Sequence, residues 1–319
     1  MCYFCINLSD FVFFIKFRMK KSLILVCIVA LSAMFAGCKE AQQEAAPVKK
    51  EMGLQLYSAR KLIGDSAKYA ENHVAVLKQI ADMGYTQVEA ASYGNGKLYG
   101  VDPKQFKADC EAVGLEVLSS HTTRALTKEE FASGDFTEAL KWWDECIAAH
   151  KEAGMKYIVT PWSNVPETLK DAKTYCDYMN AVGKKCAEAG IKYGYHNHAH
   201  EFQKVEDQVY YDFMLENTDP QFVFFQMDVY WAVRGQVSPV DYFNKYAGRF
   251  VLLHIKDHRE VGQSGMVGFD AIFNNFAKAG CKEFIVEMEG ATSGDDMLGI
   301  KESADYLLKA DFVKPSYKN

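Results

Sequence analysis

Several patterns that would assign this chain of 319 residues to a common functional class are missing from it. The segment GNGKLYG at 94–100 has one residue too many for the Gly-x-Gly-x-x-Gly turn of a dinucleotide-binding fold, and no glycine-rich phosphate loop occurs. The five cysteines beyond Cys38 are odd in number and have no Cys-x-x-Cys spacing. Neither a disulfide framework nor a zinc ribbon is therefore indicated.

The chain also lacks an excess of basic residues. Its formal net charge is −6, whereas nucleic-acid binding needs clustered lysine and arginine to contact phosphates. We therefore exclude nucleic acid as a partner. Apolar residues make up 49% of the chain and charged residues 24%, which is ordinary globular composition and excludes a disordered or fibrous protein.

The N-terminal segment reads as an export signal. The stretch MKKSLILVCIVALSAMFAGC at 19–38 has two lysines, an apolar run too short for a transmembrane helix of about 20 residues, and small residues before Cys38. FAGC resembles the lipobox of bacterial lipoproteins. This resemblance implies a signal peptide at 1–37, whose start could lie at Met19, and a lipid on Cys38. A buried cysteine in an ordinary cleaved signal peptide is the alternative.

We accordingly expect a lipid-anchored protein on the periplasmic or cell-envelope face of a bacterium, with the membrane as a partner through Cys38. The following polar residues lack aromatics, which suits a linker at 38–51. The folded domain is then predicted to span 52–319.

From residue 52 onward, one pattern repeats: a helical stretch, a glycine, and a short apolar run that ends in polar residues. Glycine just past a helix end is a common C-terminal cap, and the runs that follow are typical of strands. Eight such strands alternating with helices predict an α/β fold, a (β/α)8 barrel. A doubly wound open sheet is the alternative, which the missing dinucleotide-binding turn weakens. The strand segments are GLQLYS, MGYTQVEAAS, VGLEVLSSH, AGMKYIVTP, AGIKYGYHNH, QFVFFQMDVYW, AGRFVLLHIKD and AGCKEFIVEME.

Polar side chains collect where these strands end, which is where such barrels build active sites. A mixed set of histidines and carboxylates without cysteine suits a divalent ion such as Mn, Mg, Co or Zn. Each residue also has a structural explanation: Asp228 or Asp257 could cap a helix, His121 could satisfy backbone groups, and Glu289 could be solvated. The strand-end residues are Glu89, His121, His196, His198, Asp228, His254, Lys256, Glu287 and Glu289.

Residues 52–310 resemble the sugar phosphate isomerase/epimerase group of xylose isomerase-like TIM barrels, which are related to inosose dehydratase, tagatose 3-epimerase and endonuclease IV. The resemblance rests on GLQLYSAR, YHNHAHEF, MDVYWAV, HIKD and FIVEME. It implies one divalent ion held by residues from strands five to eight. The ligands of this chain would be His196, Asp228, His254 and Glu287, with His196 in a position where the family often has glutamate.

The expected chemistry is removal of a proton from the carbon next to a carbonyl. Glu287 is the expected base, Lys256 would stabilise negative charge, and His196 completes the catalytic group. Lys256 could instead form an ion pair with Asp257 or Glu289. Substrate contacts are expected from residues around the barrel mouth: Tyr57, Glu89, His121, His198, Trp231 and Glu289, with Tyr230 as a further aromatic candidate and His200 either near substrate or in solvent.

The missing phosphate loop and the export signal favour an unphosphorylated sugar or glycoside as the small-molecule partner. An isomerase or epimerase is the first hypothesis. A 3-keto-glycoside lyase or hydratase that uses the same enolate is the second, and a noncatalytic sugar-binding lipoprotein is the third. The sequence does not define the oligomeric state.

Overall fold

Eight parallel strands close into a barrel, as the repeated sequence pattern predicts. In this computed structural model, which describes residues 49–318, each strand pairs with its neighbours in chain order and the first strand pairs with the last. The (β/α)8 prediction is therefore confirmed, and the open-sheet alternative is wrong. The strands are β1 (Gly53–Gln55), β2 (Gln87–Ala90), β3 (Glu116–His121), β4 (Tyr157–Thr160), β5 (Lys192–His196), β6 (Val223–Asp228), β7 (Leu252–Lys256) and β8 (Glu283–Glu287).

A main helix follows each strand. These helices are α1 (Ser66–Asp82), α2 (Pro103–Glu111), α3 (Thr137–Glu152), α4 (Leu169–Glu188), α5 (Tyr210–Asn217), α6 (Pro239–Lys245), α7 (Phe269–Asn274) and α8 (Asp296–Lys309). Short helices occupy the loops: Arg60–Ile63, Lys128–Ser133, Val229–Arg234 and Phe276–Ala279, with 3-10 turns at Leu56–Ala59 and His200–Phe202. Two-stranded hairpins pair Tyr93–Gly94 with Lys97–Leu98 and Lys204–Val205 with Gln208–Val209.

The glycine junctions have the backbone conformation that the sequence pattern predicts. Each takes a positive φ, between +78° and +99°, which lets the chain leave a helix and enter a strand without a steric penalty on Cβ. The six glycines are Gly84, Gly114, Gly154, Gly190, Gly248 and Gly280.

An apolar layer fills the middle of the barrel. Six side chains from the inner faces of five strands pack there, while a larger apolar cluster lies between the strands and the helices. Because this layer closes the barrel, polar residues above and below it form two separate groups at opposite ends. The layer consists of Leu118, Tyr157, Val159, Phe224, Leu252 and Ile285.

The chain enters this unit slightly before the predicted boundary at residue 51. The Lys50 ammonium donates to the carbonyls of Leu307 and Ala310, and the Glu51 amide donates to Pro315. The predicted signal peptide 1–37, Cys38 and linker residues 38–48 lie outside the described residues. Within residues 49–318, no helix combines the length and the apolar character needed to cross a bilayer.

Candidate metal and substrate site

Four of the predicted strand-end residues meet at one point at the C-terminal end of the barrel. His196, Asp228, His254 and Glu287 each place one ligand atom within 4.8 Å of the other three, and all four are buried. They come from the neighbouring strands β5, β6, β7 and β8. Ligands bound to one ion at about 2.1 Å lie roughly 3 to 4 Å apart, so a small contraction would complete such a site.

Asp228 carries a buried oxygen without a partner. Its Oδ1 accepts from the Trp231 amide at 2.8 Å and caps the helix that follows β6, which agrees with the structural explanation weighed for this residue. Its Oδ2 is buried and has no hydrogen-bond partner. Burial raises the pKa of Asp228 to about 7, and nearby Glu287 adds to this rise. A buried carboxylate oxygen left open beside three other ligand groups fits a cation.

His254 lies between two carboxylates. Its Nε2 is 2.6 Å from Glu89 Oε1 and its Nδ1 is 3.2 Å from Glu287 Oε2. Burial opposes protonation of this imidazole, but the two carboxylates raise its pKa to about 10. Burial likewise opposes ionisation of Glu287, yet His254 and Lys256 hold the pKa of Glu287 below its usual range. Glu287 and His254 therefore carry opposite charges and form a buried ion pair within the ligand group.

Three imidazole rings pack against one another beside these carboxylates. The ring centroid of His196 is 4.6 Å from that of His254 and 4.8 Å from that of His121. Burial lowers the pKa of His196 and of His121. Gln226 Oε1 lies 3.1 Å from His196 Nδ1 and 2.8 Å from His121 Nε2. Neutral imidazoles held in this way keep one nitrogen free to act as a ligand.

A cavity of about 300 Å³ opens beside the four-residue group. Five predicted site residues besides Glu287 line it, together with Trp162, Pro161 and Ala91. Trp162 and Tyr57 are the exposed aromatics of this rim, at 49% and 45% exposure. The predicted residues that line the cavity are Tyr57, His121, His196, His198 and Glu289.

Two histidines of the HNHAH segment contact the Trp162 side of this cavity. The Trp162 ring centroid is 4.8 Å from that of His198 and 4.1 Å from that of His200. His198 Nδ1 is buried without a partner, and burial lowers the pKa of this imidazole to about 4. His200 Nε2 lies 3.0 Å from the Ser163 carbonyl. His198 is thus a neutral cavity residue with an open nitrogen, whereas His200 supports the rim.

Other predicted residues lie next to the cavity rather than in its lining. Lys256 is buried, with its Nζ 3.3 Å from Glu289 Oε1 and 5.8 Å from the Trp231 ring centroid. The ion pair with Glu289, one of the two structural alternatives, is therefore present. The Tyr230 hydroxyl lies 3.1 Å from His258 Nδ1, and Trp231 packs against His198 at 5.4 Å.

Glu89 is placed differently from the predicted substrate contact. It is fully buried, is not part of the cavity lining, and its carboxylate is surrounded by donors. Burial opposes its ionisation, but His121 and His254 lower its pKa to about 2. The sequence placed this carboxylate correctly at a strand end, but the inward-facing side chain lies among other polar groups inside the barrel.

Two residues of the site were missed by the sequence reasoning. Trp162 follows strand β4 in the segment TPW, and an aromatic residue just beyond a strand end is the signal that could have identified it. Gln226 is not among the predicted site residues. Side chains alternate in direction along β6, and this alternation points Gln226 inward. No sequence pattern shows that its amide contacts His121 and His196.

Comparison with known proteins agrees with this architecture. Residues 77–310 match the family described as xylose isomerase-like TIM barrels. The chain belongs to the xylose isomerase-like TIM barrel family. A solved sugar phosphate isomerase/epimerase from Parabacteroides distasonis is 34% identical, with a TM-score of 0.75, and the match covers 86% of this chain and 98% of that one.

Two further proteins to which the chain is similar are more distant. An inosose dehydratase from Geobacillus kaustophilus is 26% identical over 58% of this chain and 61% of its own length, so the match spans less than two thirds of that relative. The 3-keto-D-glucoside 4-epimerase of E. coli is 21% identical, with a TM-score of 0.61 over 82% of this chain and all of that one. This last likeness shows the shared fold.

Proposed function

We propose that this protein is a metal-dependent isomerase or epimerase that removes a proton from the carbon next to a carbonyl in an unphosphorylated sugar or glycoside. The observation that carries the proposal is the buried group of His196, Asp228, His254 and Glu287 beside an open cavity. The Parabacteroides distasonis relative, described as a sugar phosphate isomerase/epimerase, supports the same class of reaction.

The donor set narrows the choice of metal. Two imidazoles and two carboxylates suit borderline ions such as Zn, Co or Mn better than Mg, which prefers oxygen ligands throughout. The open Asp228 Oδ2 is the specific feature that fits a bound ion. When bound, a divalent ion would polarise the substrate carbonyl and stabilise the negative charge that develops on its oxygen.

The side chains around this group would then move the proton and hold the sugar. Glu287 both belongs to the ligand group and lines the cavity, so it is placed to accept the proton from carbon. Lys256 supplies a buried positive charge next to Glu289 and would offset charge on a substrate oxygen. Trp162 and Tyr57 present exposed rings against which a sugar ring would pack.

The charge of the cavity favours an unphosphorylated substrate. Among residues 49–318, its lining includes two glutamates, Glu287 and Glu289, and no lysine or arginine. The nearby Arg60 guanidinium is engaged with the carbonyls of Tyr57 and Glu289. Phosphate is typically bound by cationic donors such as arginine, whereas the cation next to this lining, Lys256, is paired with Glu289.

A lyase or hydratase that acts on a 3-keto-glycoside or a related keto sugar is the second candidate. Epimerisation needs acid–base groups on two faces of the substrate, and His196 stands where the family resemblance leads us to expect a further carboxylate. The curated relatives that match this chain, including the Geobacillus kaustophilus protein, are inosose dehydratases. Expulsion of a neighbouring group from the same enolate would need one base only.

The test is incubation in heavy water of protein loaded with Zn, Co or Mn, with a panel of ketoses and 3-keto-glycosides. We expect the product to be an isomer or epimer that has gained deuterium at carbon. Proton NMR and mass spectrometry would detect it. Loss of water or of an aglycone, with an unsaturated keto sugar as product, would establish the lyase instead. Metal-stripped protein is the control. Sugar binding without turnover across the panel would support the noncatalytic alternative and contradict both reactions.

We also propose that the protein acts at the cell envelope, anchored by a lipid on Cys38. The support is the FAGC lipobox after a basic and apolar segment. Mass spectrometry of the membrane fraction should find Cys38 as a lipidated N-terminus, and an unmodified Cys38 in a soluble fraction would contradict it.

A further inference from the structure

The Glu89 carboxylate on strand β2 is surrounded by enough protein donors to use all of its hydrogen-bond acceptor capacity. The residue is fully buried, and an ionised carboxylate accepts about four hydrogen bonds. Five side chains approach it: Gln55 Nε2 at 2.7 Å, His254 Nε2 at 2.6 Å and His121 Nε2 at 3.1 Å from Oε1, with Ser119 Oγ and Gln226 Nε2, the latter at 2.9 Å, on Oε2. No capacity remains for a sugar hydroxyl.

Glu89 determines which nitrogen of His254 faces the other ligand residues. Because a carboxylate only accepts, His254 Nε2 must carry the hydrogen of the 2.6 Å contact. The nitrogen left for an ion is Nδ1, which lies 3.2 Å from Glu287 Oε2. The buried carboxylate therefore fixes the ring orientation of one member of the four-residue group.

The same carboxylate reaches a second histidine through Gln226. The Gln226 amide nitrogen must point to Glu89 Oε2, because only the nitrogen can donate to a carboxylate. This turns Gln226 Oε1 toward His196 Nδ1 at 3.1 Å, so Nδ1 carries the hydrogen and Nε2 is left as the ligand atom. Two imidazoles of the group thus take their tautomers from one carboxylate.

We propose that Glu89 is a positioning residue for the metal centre, which it orders by holding His254 directly and His196 through Gln226. This inference rests on the proposed metal site and adds a residue from β2, on a different part of the barrel wall from the four ligand strands. Partners that orient ligating histidines typically contribute about 10- to 100-fold to metal affinity.

The experiment measures Co²⁺ and Zn²⁺ affinity by competition with a chromophoric chelator, together with the visible absorption spectrum of the Co²⁺ protein. Glu89→Gln keeps the shape of the side chain but replaces one acceptor oxygen by a donor, so His254 or Gln226 loses its partner. We expect Glu89→Gln to bind both metals about 10- to 100-fold more weakly and to change the Co²⁺ spectrum. Glu89→Asp should recover part of the affinity, since it keeps the carboxylate.

Two comparison variants separate this role from others. Asp228→Asn removes a proposed ligand and should weaken metal binding at least as much. Glu283→Gln changes another buried strand carboxylate, one that accepts from Tyr157 and Gln87 at the opposite end of the barrel. It should leave both affinities and the Co²⁺ spectrum as in the wild type. Thermal unfolding of every variant identifies any loss of fold.

The outcomes distinguish this inference from the proposed function. If Asp228→Asn weakens binding but Glu89→Gln keeps wild-type affinity and spectrum, the role of Glu89 is overturned while the metal centre stands. If wild-type protein binds neither metal, the metal centre itself is wrong. Should Glu89→Gln not fold, Gln226→Met replaces it as the test. This variant removes the link to His196, and unchanged affinity and spectrum there would overturn the proposal.

Discussion

The two ends of the barrel both carry buried strand carboxylates, but the carboxylate at the N-terminal end has partners on both oxygens, whereas one at the C-terminal end keeps an open oxygen. At the N-terminal end, Glu283 accepts from the Tyr157 hydroxyl at 2.7 Å and lies 3.4 Å from the ammonium groups of Lys156 and Lys318. At the C-terminal end, Asp228 Oδ2 and His198 Nδ1 are buried and unpartnered. The apolar layer lies between the two groups.

The presence or absence of a hydrogen-bond partner separates polar residues that stabilise the fold from those that are available to bind a ligand. A paired buried carboxylate has already recovered its lost hydration, whereas an open one keeps an energetic cost that a metal or substrate can remove. Sequence composition alone does not distinguish the ends, since each combines glutamates with basic residues. The state of the individual oxygen and nitrogen atoms does.

The largest expected effect comes from the open end. Glu287→Gln should lower kcat about 10²- to 10⁴-fold, because it removes the proposed base together with a ligand charge. The measurement is steady-state turnover on whichever keto sugar the heavy-water panel identifies, at saturating Zn²⁺ or Co²⁺. A wild-type kcat in this variant would contradict the assignment of the chemistry to the C-terminal end of the barrel.

A buried histidine that is not part of the cavity lining gives the next effect. His150 on helix α3 has its Nδ1 2.7 Å from the Cys146 carbonyl and its Nε2 3.3 Å from Thr122 Oγ1. Burial lowers its pKa to about 4, below the unfolded value of about 6.5. The unfolded chain therefore binds more protons between these values, so the stability contributed is complete above pH 6.5 and is lost as the pH falls toward 4.

Between pH 7 and pH 5, this histidine should lower the free energy of unfolding by about 2 kcal/mol. Urea unfolding of wild type and His150→Asn at both pH values measures how much the free energy of unfolding of each protein changes between pH 7 and pH 5. We expect the variant to be less stable at pH 7 but less sensitive to acid. Equal pH sensitivity in both proteins would show that burial of this side chain does not control its protonation.

The smallest effect is expected at the closed end. Glu283→Gln should lower the free energy of unfolding by about 1 kcal/mol, because its hydrogen bonds are weakened and two partly exposed lysines lose a partner that water can replace. Urea unfolding gives the stability, and kcat should stay within twofold of wild type. A large loss of turnover without a loss of stability would mean that the two ends are coupled through the apolar layer.

Much of this molecule could be predicted from local sequence features. The glycine junctions and the apolar runs after them identified eight strands, because a helix cap and a buried strand are each specified by neighbouring residues. The same rule located His196, Asp228, His254 and Glu287, since strand ends in a parallel barrel lie at one edge.

The partners of these residues depended on contacts across the barrel. Glu89 lies on β2 yet contacts His254 on β7 and Gln226 on β6, and the sequence assigned it to substrate. Alternation along a strand shows which side chains point inward, but it does not show which of them meet in the interior. Trp162 was missed for a related reason, because its place at the rim depends on how the loop after β4 turns over the mouth.

The sequence by itself therefore determined the barrel and most of the residues at its mouth, because strand order, helix caps and inward-facing positions follow from residues close together in the chain. Only the tertiary structure decided that Asp228 keeps an open oxygen, that Glu89 is fully occupied, and that Gln226 joins two histidines. Those properties belong to individual atoms, and they follow from distances between side chains that lie dozens of residues apart in the sequence.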